Sequence, residues 1–156
     1  MRRDYFTLQV RDIDWVEEDT EPQLPRLRIL YEGPTAPFLD GFTRDGALIP
    51  PEEVDIAFRL QGSIDDPDAT GVLSLTDRYT GEFLLELNAT TGTFLQFLKA
   101  ARRYGEQAAE ATGRFELDIQ VEDDKRISYE KRTLLVYDED GSLARKHSLI
   151  PSGVEI

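Results

Sequence analysis

TFLQFLKAARRYGEQAAEATG, residues Thr93–Gly113, is the one long segment of this sequence that has the periodicity of a helix. Its opening, TFLQ, matches the capping box, in which a threonine hydroxyl and a glutamine side chain bind free backbone NH groups at a helix start. Gly113 supplies a stop signal. Between them, apolar residues recur at spacings of three and four, which places them on one face of a helix. These residues are Phe94, Phe97, Leu98, Ala101, Tyr104 and Ala108. We therefore predict one amphipathic helix of about 18 residues whose apolar face lies on a sheet.

Most of the remaining sequence alternates between apolar and polar residues, which is the period of a strand with one buried face. The clearest case is Phe115–Glu122. The other runs are Tyr5–Val10, Leu27–Tyr31, Val54–Leu60, Leu73–Leu75, Phe83–Leu87, Ile127–Tyr137 and Leu143–Ile150. Thr80 and Gly81 indicate a hairpin turn between two of them. The predicted fold class is α+β, a largely antiparallel sheet of about seven strands with the long helix packed on it. With no internal repeat or composition shift, residues 1–156 are predicted to form a single globular domain.

The composition indicates the solvent and the compartment. Asp and Glu total 31 against 18 Lys and Arg, for a net charge of -13, and only four of the basic residues are lysine. A surplus of carboxylates with few lysines is typical of a protein dissolved in molar salt, where counterions screen its self-repulsion. An ordinary acidic protein is the alternative. The sequence has no cysteine, which excludes disulfides, thiol catalysis and iron–sulfur clusters. It also has no membrane-length apolar run, so a cytoplasmic protein is expected.

The segment DPDATGVLSLTD, Asp66–Asp77, has the oxygen spacing of a calcium loop. Its candidate ligands are Asp66, Asp68, Thr70 and Asp77, and a glycine occupies the sixth place, where such a loop turns sharply. Two features argue against a calcium site. The last ligand is Asp instead of the usual bidentate Glu, and the flanking segments have the pattern of strands instead of helices. The sequence therefore favours a solvated turn followed by a strand, and no metal or other cofactor is expected.

Other candidate sites are weak. Phosphate could be bound by adjacent basic pairs such as Arg2 and Arg3, Arg102 and Arg103, Lys125 and Arg126, and Lys131 and Arg132. Such contacts gain affinity by counterion release, which is lost in molar salt, so nucleic-acid binding is not expected. The single histidine, His147, has no nucleophile arrangement or orienting partner near it in sequence. The sequence also lacks a phosphate-binding glycine loop, a nucleophile elbow and a histidine metal pair. It therefore favours a role without catalysis.

The tail SLIPSGVEI, Ser148–Ile156, is apolar. One interpretation is a strand and a segment docked on the domain's own core. The other is a contact surface for a protein partner or a second copy of the chain, and its contact residues are then Leu149, Ile150, Val154 and Ile156. Hydrophobic contacts suit a salt-rich solvent because excluded salts strengthen apolar burial while charge pairs are screened.

Three segments carry a resemblance to a known family. They are RRDYFTLQVRDIDW (Arg2–Trp15), VDIAFRLQG (Val54–Gly62) and LVYDEDGSLARKHSLIPSGVEI (Leu135–Ile156). Together they resemble an uncharacterised haloarchaeal family known only as a domain of unknown function, and the resemblance covers essentially the whole chain. It implies a salt-adapted archaeal cytoplasm, but it implies no activity, ligand or catalytic residue.

Two functional hypotheses follow. The first is a salt-adapted cytoplasmic protein without catalytic activity that acts through protein–protein contacts, as a homo-oligomer or as an accessory subunit. The second is a small-ligand binder or an enzyme with a pocket between helix and sheet.

Overall fold

The computed structural model describes residues 5–107, 113–122 and 125–151. These residues form ten strands and three α-helices, and a single turn of 3-10 helix at Pro51–Glu53. In chain order the strands and helices are β1 (Phe6–Arg11), α1 (Trp15–Glu18), β2 (Arg26–Tyr31), α2 (Thr35–Gly41), β3 (Thr43–Arg44), β4 (Ala47–Leu48), β5 (Val54–Leu60), β6 (Thr70–Asp77), β7 (Phe83–Thr90), α3 (Thr91–Gln107), β8 (Phe115–Glu122), β9 (Lys125–Lys131) and β10 (Leu135–Tyr137). The α+β class with one long helix is confirmed.

The strands of the described residues belong to three sheets. Sheet 1 has the order β1-β2-β8-β9, and sheet 2 has the order β10-β5-β6-β7. Each of them contains one parallel pair, β2 with β8 in sheet 1 and β10 with β5 in sheet 2. All other neighbours are antiparallel, including the predicted β6–β7 hairpin, in which Gly81 has a φ of 75°. The third sheet is the two-residue hairpin of β3 and β4.

The prediction of one sheet of about seven strands is therefore wrong. Alternation shows that a strand has one buried face, but strands of two sheets that share a core have the same pattern. The run Ile127–Tyr137 is not one strand, because the chain leaves sheet 1 after Lys131 and enters sheet 2 at Leu135. The run Leu143–Ile150 is not a regular strand. It contributes only isolated bridges, Leu143 with Tyr137 and Leu149 with Leu134.

A line of aromatic rings joins the two sheets through α3. Phe58 of β5 stacks on Phe94 of α3 with ring centroids 4.1 Å apart. One turn further along α3, Phe97 meets Phe115 of β8 edge to face at 5.3 Å. All four side chains are fully buried. The apolar face of the helix thus contacts both sheets, which share one hydrophobic cluster.

The long helix begins two residues earlier than the capping box predicts, at Thr91. Thr93 lies inside the first turn, where its Oγ1 accepts a hydrogen bond from the hydroxyl of Thr90 at 3.1 Å. The predicted helix end at Gly113 falls after residues 108–112, which lie outside the described residues. Gly113 itself is buried, and a β-carbon there would lie 3.0 Å from Leu149.

The segment between β2 and β5 has no sustained apolar period, yet it supplies a large part of the core. Phe38 and Phe42, on and just after α2, are fully buried, and Ile49 is 2% exposed. The ring of Phe38 stacks on Tyr31 with centroids 4.3 Å apart. Only Leu48 of this segment is an exposed large apolar side chain.

Gly71 of β6 makes the Phe58–Phe94 stack possible. A β-carbon at Gly71 would lie 2.2 Å from Cζ of Phe58, which is far closer than atoms pack. We expect Gly71→Ala to displace the ring and to lower the free energy of unfolding by about 1–3 kcal/mol. The measurement is denaturant unfolding in molar KCl. Gly41→Ala is the matched control because no atom lies within 4 Å of the added carbon. Equal stability of the two variants would contradict this account of the core.

Candidate functional site

The residues of the calcium hypothesis are not brought together. Asp66 and Asp68 lie in the loop before β6, Thr70 begins that strand, and Asp77 ends it. Its eight residues extend over about 23 Å. Oδ1 of Asp66 accepts a hydrogen bond from the backbone NH of Asp68 at 3.0 Å, which is a turn-stabilising contact. Among the described residues, no group of three or more acidic or histidine side chains is arranged to hold a metal ion.

The Asp66 loop instead covers the start of α3. The first NH groups of a helix have no partner within the helix. Here the NH of Thr91 donates to the carbonyl oxygen of Ala69, and the NH of Gly92 donates to that of Pro67, each at 2.9 Å. A β-carbon on Gly92 would lie 2.8 Å from Cβ of Pro67. The loop therefore has a structural role, and the missing side chain of Gly92 leaves room for Pro67.

Asp77 is part of the β6–β7 hairpin and of an ion-pair network. Its Oδ1 accepts hydrogen bonds from the backbone NH groups of Tyr79 at 2.9 Å and Thr80 at 3.4 Å. Arg44 donates to both of its carboxylate oxygens, at 3.0 and 2.8 Å, and also binds Glu53. Burial alone would raise the pKa of Asp77, but the two backbone donors and Arg44 outweigh it and lower that pKa. The side chain of Asp77 thus stabilises the turn of the β6–β7 hairpin.

Some of the predicted tail contacts lie in or near the core, and the others lie outside the described residues. Leu149 is 3% exposed and exchanges backbone hydrogen bonds with Leu134 at 3.0 and 2.8 Å. Ile150 is half-buried. Val154 and Ile156 lie outside the described residues. The structure thus places Leu149 in the protein's own core.

The outer face of sheet 2 forms a groove. Two cavities of about 510 and 520 Å³ lie on this face and meet at Ala57 and Tyr137. The strand register places Ala57 beside Ser74, and Thr76 follows on the same face of β6. We call this surface the sheet 2 groove; its floor is Ala57, Ser74 and Thr76, and its two ends are at Lys131 and Phe83. Small side chains on neighbouring strands keep the floor low where the two cavities adjoin.

The Lys131 end lies where the two sheets meet. Tyr129 and Lys131 point to the inner side of β9 and bind the backbone that leads into β5. The hydroxyl of Tyr129 donates to the carbonyl oxygen of Ile49 at 2.6 Å. Nζ of Lys131 donates to the carbonyl oxygens of Pro51 and Val54, each at 2.6 Å. We call this junction the seam. It fixes an amine at one end of the groove.

The electrostatics of the seam follow from burial. Burial raises the pKa of Tyr129 to about 12. Burial also lowers the pKa of Lys131, and the nearby positive charge of Arg78 lowers it further, while Asp55 and Glu52 act in the opposite direction. Asp55 is itself paired, since Arg78 donates two hydrogen bonds to its Oδ1, at 3.0 and 2.7 Å.

The other end of the groove is apolar and exposed. Phe83, the first residue of β7, is 63% exposed. It pairs with Thr76, next to a register shift in the β6–β7 ladder. Such an irregularity changes the direction of side chains along a strand. An exposed phenylalanine on an open sheet face is a ready contact for an apolar group.

A separate cavity of about 430 Å³ lies between β1, β7 and the first turn of α3. Leu8 and Val10 form one wall, Asn88 and Ala89 form another, and Phe94 closes it at the helix. This is the kind of pocket between helix and sheet that the second functional hypothesis requires.

The outer face of sheet 1 carries arginines that are bound to acidic side chains. Asp118 is fully buried. Its carboxylate is approached by Nε of Arg28 at 3.4 Å and Nε of Arg126 at 3.0 Å, and it accepts a hydrogen bond from Ser128 at 3.3 Å. The cationic groups nearest to Asp118 are therefore part of an internal network.

Sequence reasoning missed the sheet 2 groove. One signal for the seam was present: Ile127, Tyr129 and Lys131 share one strand face, so alternation places a lysine in a core position. No local pattern could identify the groove floor, because Ala57 and Ser74 are small residues on strands whose pairing depends on the whole fold.

The comparisons with known proteins give a family and no activity. A family model described as "Family of unknown function (DUF5793)" matches residues 1–156. No curated protein and no solved structure matches the chain. In the part of the chain that the structure describes, no helix has the length and apolar character needed to cross a membrane.

The raised pKa of Tyr129 predicts a pH dependence of stability. The unfolded pKa is 10.0 and the folded one about 12, so the folded state retains a proton that the unfolded state loses, and stability falls as pH rises through this window. The full loss is about 2–3 kcal/mol. Tyr129→Phe should be less stable than the wild type by about 1–3 kcal/mol near neutral pH, because the carbonyl of Ile49 loses its donor. That deficit should shrink between pH 10.0 and about 12.

The measurement is denaturant unfolding of both proteins over this pH range in molar KCl. Burial also raises the pKa of Tyr31 and lowers that of Lys131. Both residues are present in both proteins, so their contributions to the pH dependence of stability cancel in the difference. A deficit that stays constant with pH would mean that Tyr129 titrates normally in the folded protein.

Proposed function

The chain belongs to the DUF5793 family, whose function is unknown, and from its geometry we propose a salt-adapted cytoplasmic protein that acts through protein–protein contacts at the sheet 2 groove. The occupant that we propose is an extended segment of a partner protein. The observation that carries the proposal is the open groove across sheet 2, with a buried amine at one end and an exposed phenylalanine at the other. Catalysis is not part of the proposal.

The proposed contact surface differs from the predicted tail. Leu149 is committed to the core, whereas Phe83 is available to a partner. Three large apolar side chains of the described residues are exposed, Leu48, Tyr79 and Phe83, and of these only Phe83 lines the groove. Exposed apolar groups beside a concave surface are typical of interaction sites. The groove therefore offers a better contact surface than the tail.

The shape of the groove supports an extended segment as the occupant. Its two cavities share Ala57 and Tyr137 and together reach from β10 to β7. A compact ligand would fill one of them, whereas a chain in extended conformation can occupy both and place alternate side chains at separate points. Charged groups of both signs border the groove, among them Arg59, Arg132, Glu86 and Glu139. A partner segment with both signs of charge would match this border.

The proposed salt adaptation is consistent with this mode of binding. The net charge of -13 and the four lysines support a salt-rich solvent. In such a solvent exposed ion pairs are screened, while apolar contacts are retained or strengthened. Recognition through Phe83 and through a buried amine would therefore persist where recognition through surface charge would not. Because the resemblance to haloarchaeal proteins points the same way, we place the protein in a haloarchaeal cytoplasm.

A second candidate function is the binding of a small ligand in the cavity between β1, β7 and α3. The cavity volume of about 430 Å³ is within the range of small-molecule sites, roughly 300–1,000 Å³. Half of its lining is apolar, and the other half is polar: Thr70, Asn88, Thr90 and Thr93. A ligand of this site would be a small molecule with both apolar and hydrogen-bonding groups.

Substitutions on the floor or at the apolar end of the groove should strongly reduce partner binding. We expect Ala57→Trp, which places a large ring on the groove floor, and Phe83→Ser, which removes the exposed ring, each to reduce capture of the partner at least about tenfold, equivalent to about 1.4 kcal/mol. The measurement is quantitative mass spectrometry of proteins that co-purify from haloarchaeal lysate in molar KCl. Leu48→Ser is the matched control because Leu48 is exposed outside the groove. Unchanged capture by both groove variants would overturn the proposed contact surface.

The second candidate has its own test. A ligand library is screened by thermal unfolding in molar KCl, since a ligand at a hundred times its dissociation constant adds about 2.7 kcal/mol. A true ligand should stabilise the wild type and Ala57→Trp but not Ala89→Trp, which fills the cavity. Stabilisation that Ala89→Trp retains would assign the ligand to another place.

A further inference from the structure

The ammonium group of Lys131 is buried, and it has a free hydrogen-bond donor. Lys131 is 8% exposed. An ammonium group has three NH donors, and Lys131 uses two of them on the carbonyl oxygens of Pro51 and Val54. The residue also lines the groove cavity, and we place the third donor on that side of the amine.

No carboxylate compensates this charge directly. Within the described part of the chain, no carboxylate oxygen lies within the 4.0 Å limit of an ion pair from Nζ of Lys131. Two acidic residues act on the pKa of Lys131. Asp55 has the larger effect, but it is bound to Arg78 at 2.7 Å. Glu52 is the other, and it is exposed. A buried charge without an opposite charge nearby is unfavourable, so a bound anion should stabilise the charged amine.

The surroundings of the amine determine which anion fits. The one remaining donor of the ammonium suits a single carboxylate oxygen, in a charge-assisted hydrogen bond. Leu135, Pro51 and Ala57 give the same cavity apolar walls. Thr133 and Arg132 stand at its polar side. This combination suits a carboxylate on a short apolar body.

We infer that the Lys131 end of the sheet 2 groove is a binding site for a carboxylate group, one oxygen of which accepts the third hydrogen bond of the ammonium. The inference rests on the proposed groove and names the chemical group that this end recognises. The carboxylate can belong to a free organic acid or to the partner segment that occupies the groove. The bond is non-covalent and no proton is transferred.

Lysine side-chain NMR tests the inference on the wild-type protein. The sequence has four lysines, Lys99, Lys125, Lys131 and Lys146, so each ¹⁵Nζ signal can be assigned. Potassium butyrate replaces KCl at constant potassium concentration, and butyramide is the uncharged control ligand. We expect butyrate to raise the pKa of Lys131 in a saturable manner, because a carboxylate opposes the effects of burial and of Arg78. An equal change at all four lysines, an equal effect of butyramide, or no change at Lys131 would overturn the inference.

Substitution gives a second readout. Lys131→Met keeps an unbranched side chain and removes the charge, and it should lose the stabilisation that butyrate gives the wild type in thermal unfolding. Lys146→Met, which removes an exposed lysine, should retain that stabilisation. Lys131→Met also leaves the carbonyl oxygens of Pro51 and Val54 without their donor, and if it does not fold, the wild-type NMR titration decides.

Peptides distinguish the two sources of the carboxylate. An acetylated tripeptide, Ala-Leu-Val, is compared as the free acid and as the amide. If the carboxylate belongs to a partner segment, the peptide with a free carboxylate should bind at least about tenfold more tightly than butyrate. Ala57→Trp should then weaken binding of the peptide more than binding of butyrate. If the carboxylate belongs to a small organic acid, the peptide should bind no more tightly than butyrate.

The inference and the proposed function can fail separately. Saturable butyrate binding at Lys131, together with unchanged partner capture by Ala57→Trp and Phe83→Ser, would retain the carboxylate site and reject the contact surface. Partner capture that depends on Ala57 and Phe83, without any butyrate effect at Lys131, would retain the contact surface and reject the carboxylate site.

Discussion

The structure depends on the aromatic contact that α3 makes with both sheets at once. Phe94 stacks on Phe58 of sheet 2 at 4.1 Å, and Phe97 meets Phe115 of sheet 1 at 5.3 Å. Aromatic pairs of this kind gain energy beyond their buried area. Because the helix follows β7 and precedes β8, it also carries the chain from one sheet to the other. Gly71 belongs to the same arrangement, since only a residue without a side chain leaves room for Phe58.

A chain that builds two sheets must cross between them, and the crossings determine where a site can form. The chain makes three such crossings. The first, from β2 to β5, contains α2, β3 and β4, and the second, from β7 to β8, is α3. The third, from β9 to β10, lies between Lys131 and Leu135. There the side chains of Tyr129 and Lys131 bind backbone carbonyls of the segment before β5, in place of a continuous ladder of strand hydrogen bonds. The seam that results leaves polar groups beside an open sheet face, which is where the sheet 2 groove lies.

The sequence predicted the elements better than their arrangement, and the reason is physical. Periods of 2 and 3.6 residues report which face of an element is buried, and they correctly indicated α3 and strands such as Val54–Leu60 and Phe115–Glu122. Neither period reports which strands are neighbours. Two parallel pairs, β2 with β8 and β10 with β5, join segments far apart in the chain, so one sheet could not be distinguished from two. The calcium spacing shows the same limit, because β6 separates Asp77 from Asp66.

The seam depends on side-chain hydrogen bonds to backbone carbonyls, which the alternating pattern of β9 indicates only in part. Lys131 occupies a position where the pattern of β9 calls for an apolar residue, and its burial is tolerated because two carbonyl oxygens accept its hydrogen bonds. Salt screens exposed pairs such as Arg78 with Asp55 much more than it screens a charge removed from solvent. In a salt-rich solvent, a buried amine is therefore among the few cationic groups that keep a strong preference for an anion. Its place at one end of a groove, with the exposed ring of Phe83 at the other, combines the two kinds of contact that concentrated salt weakens least.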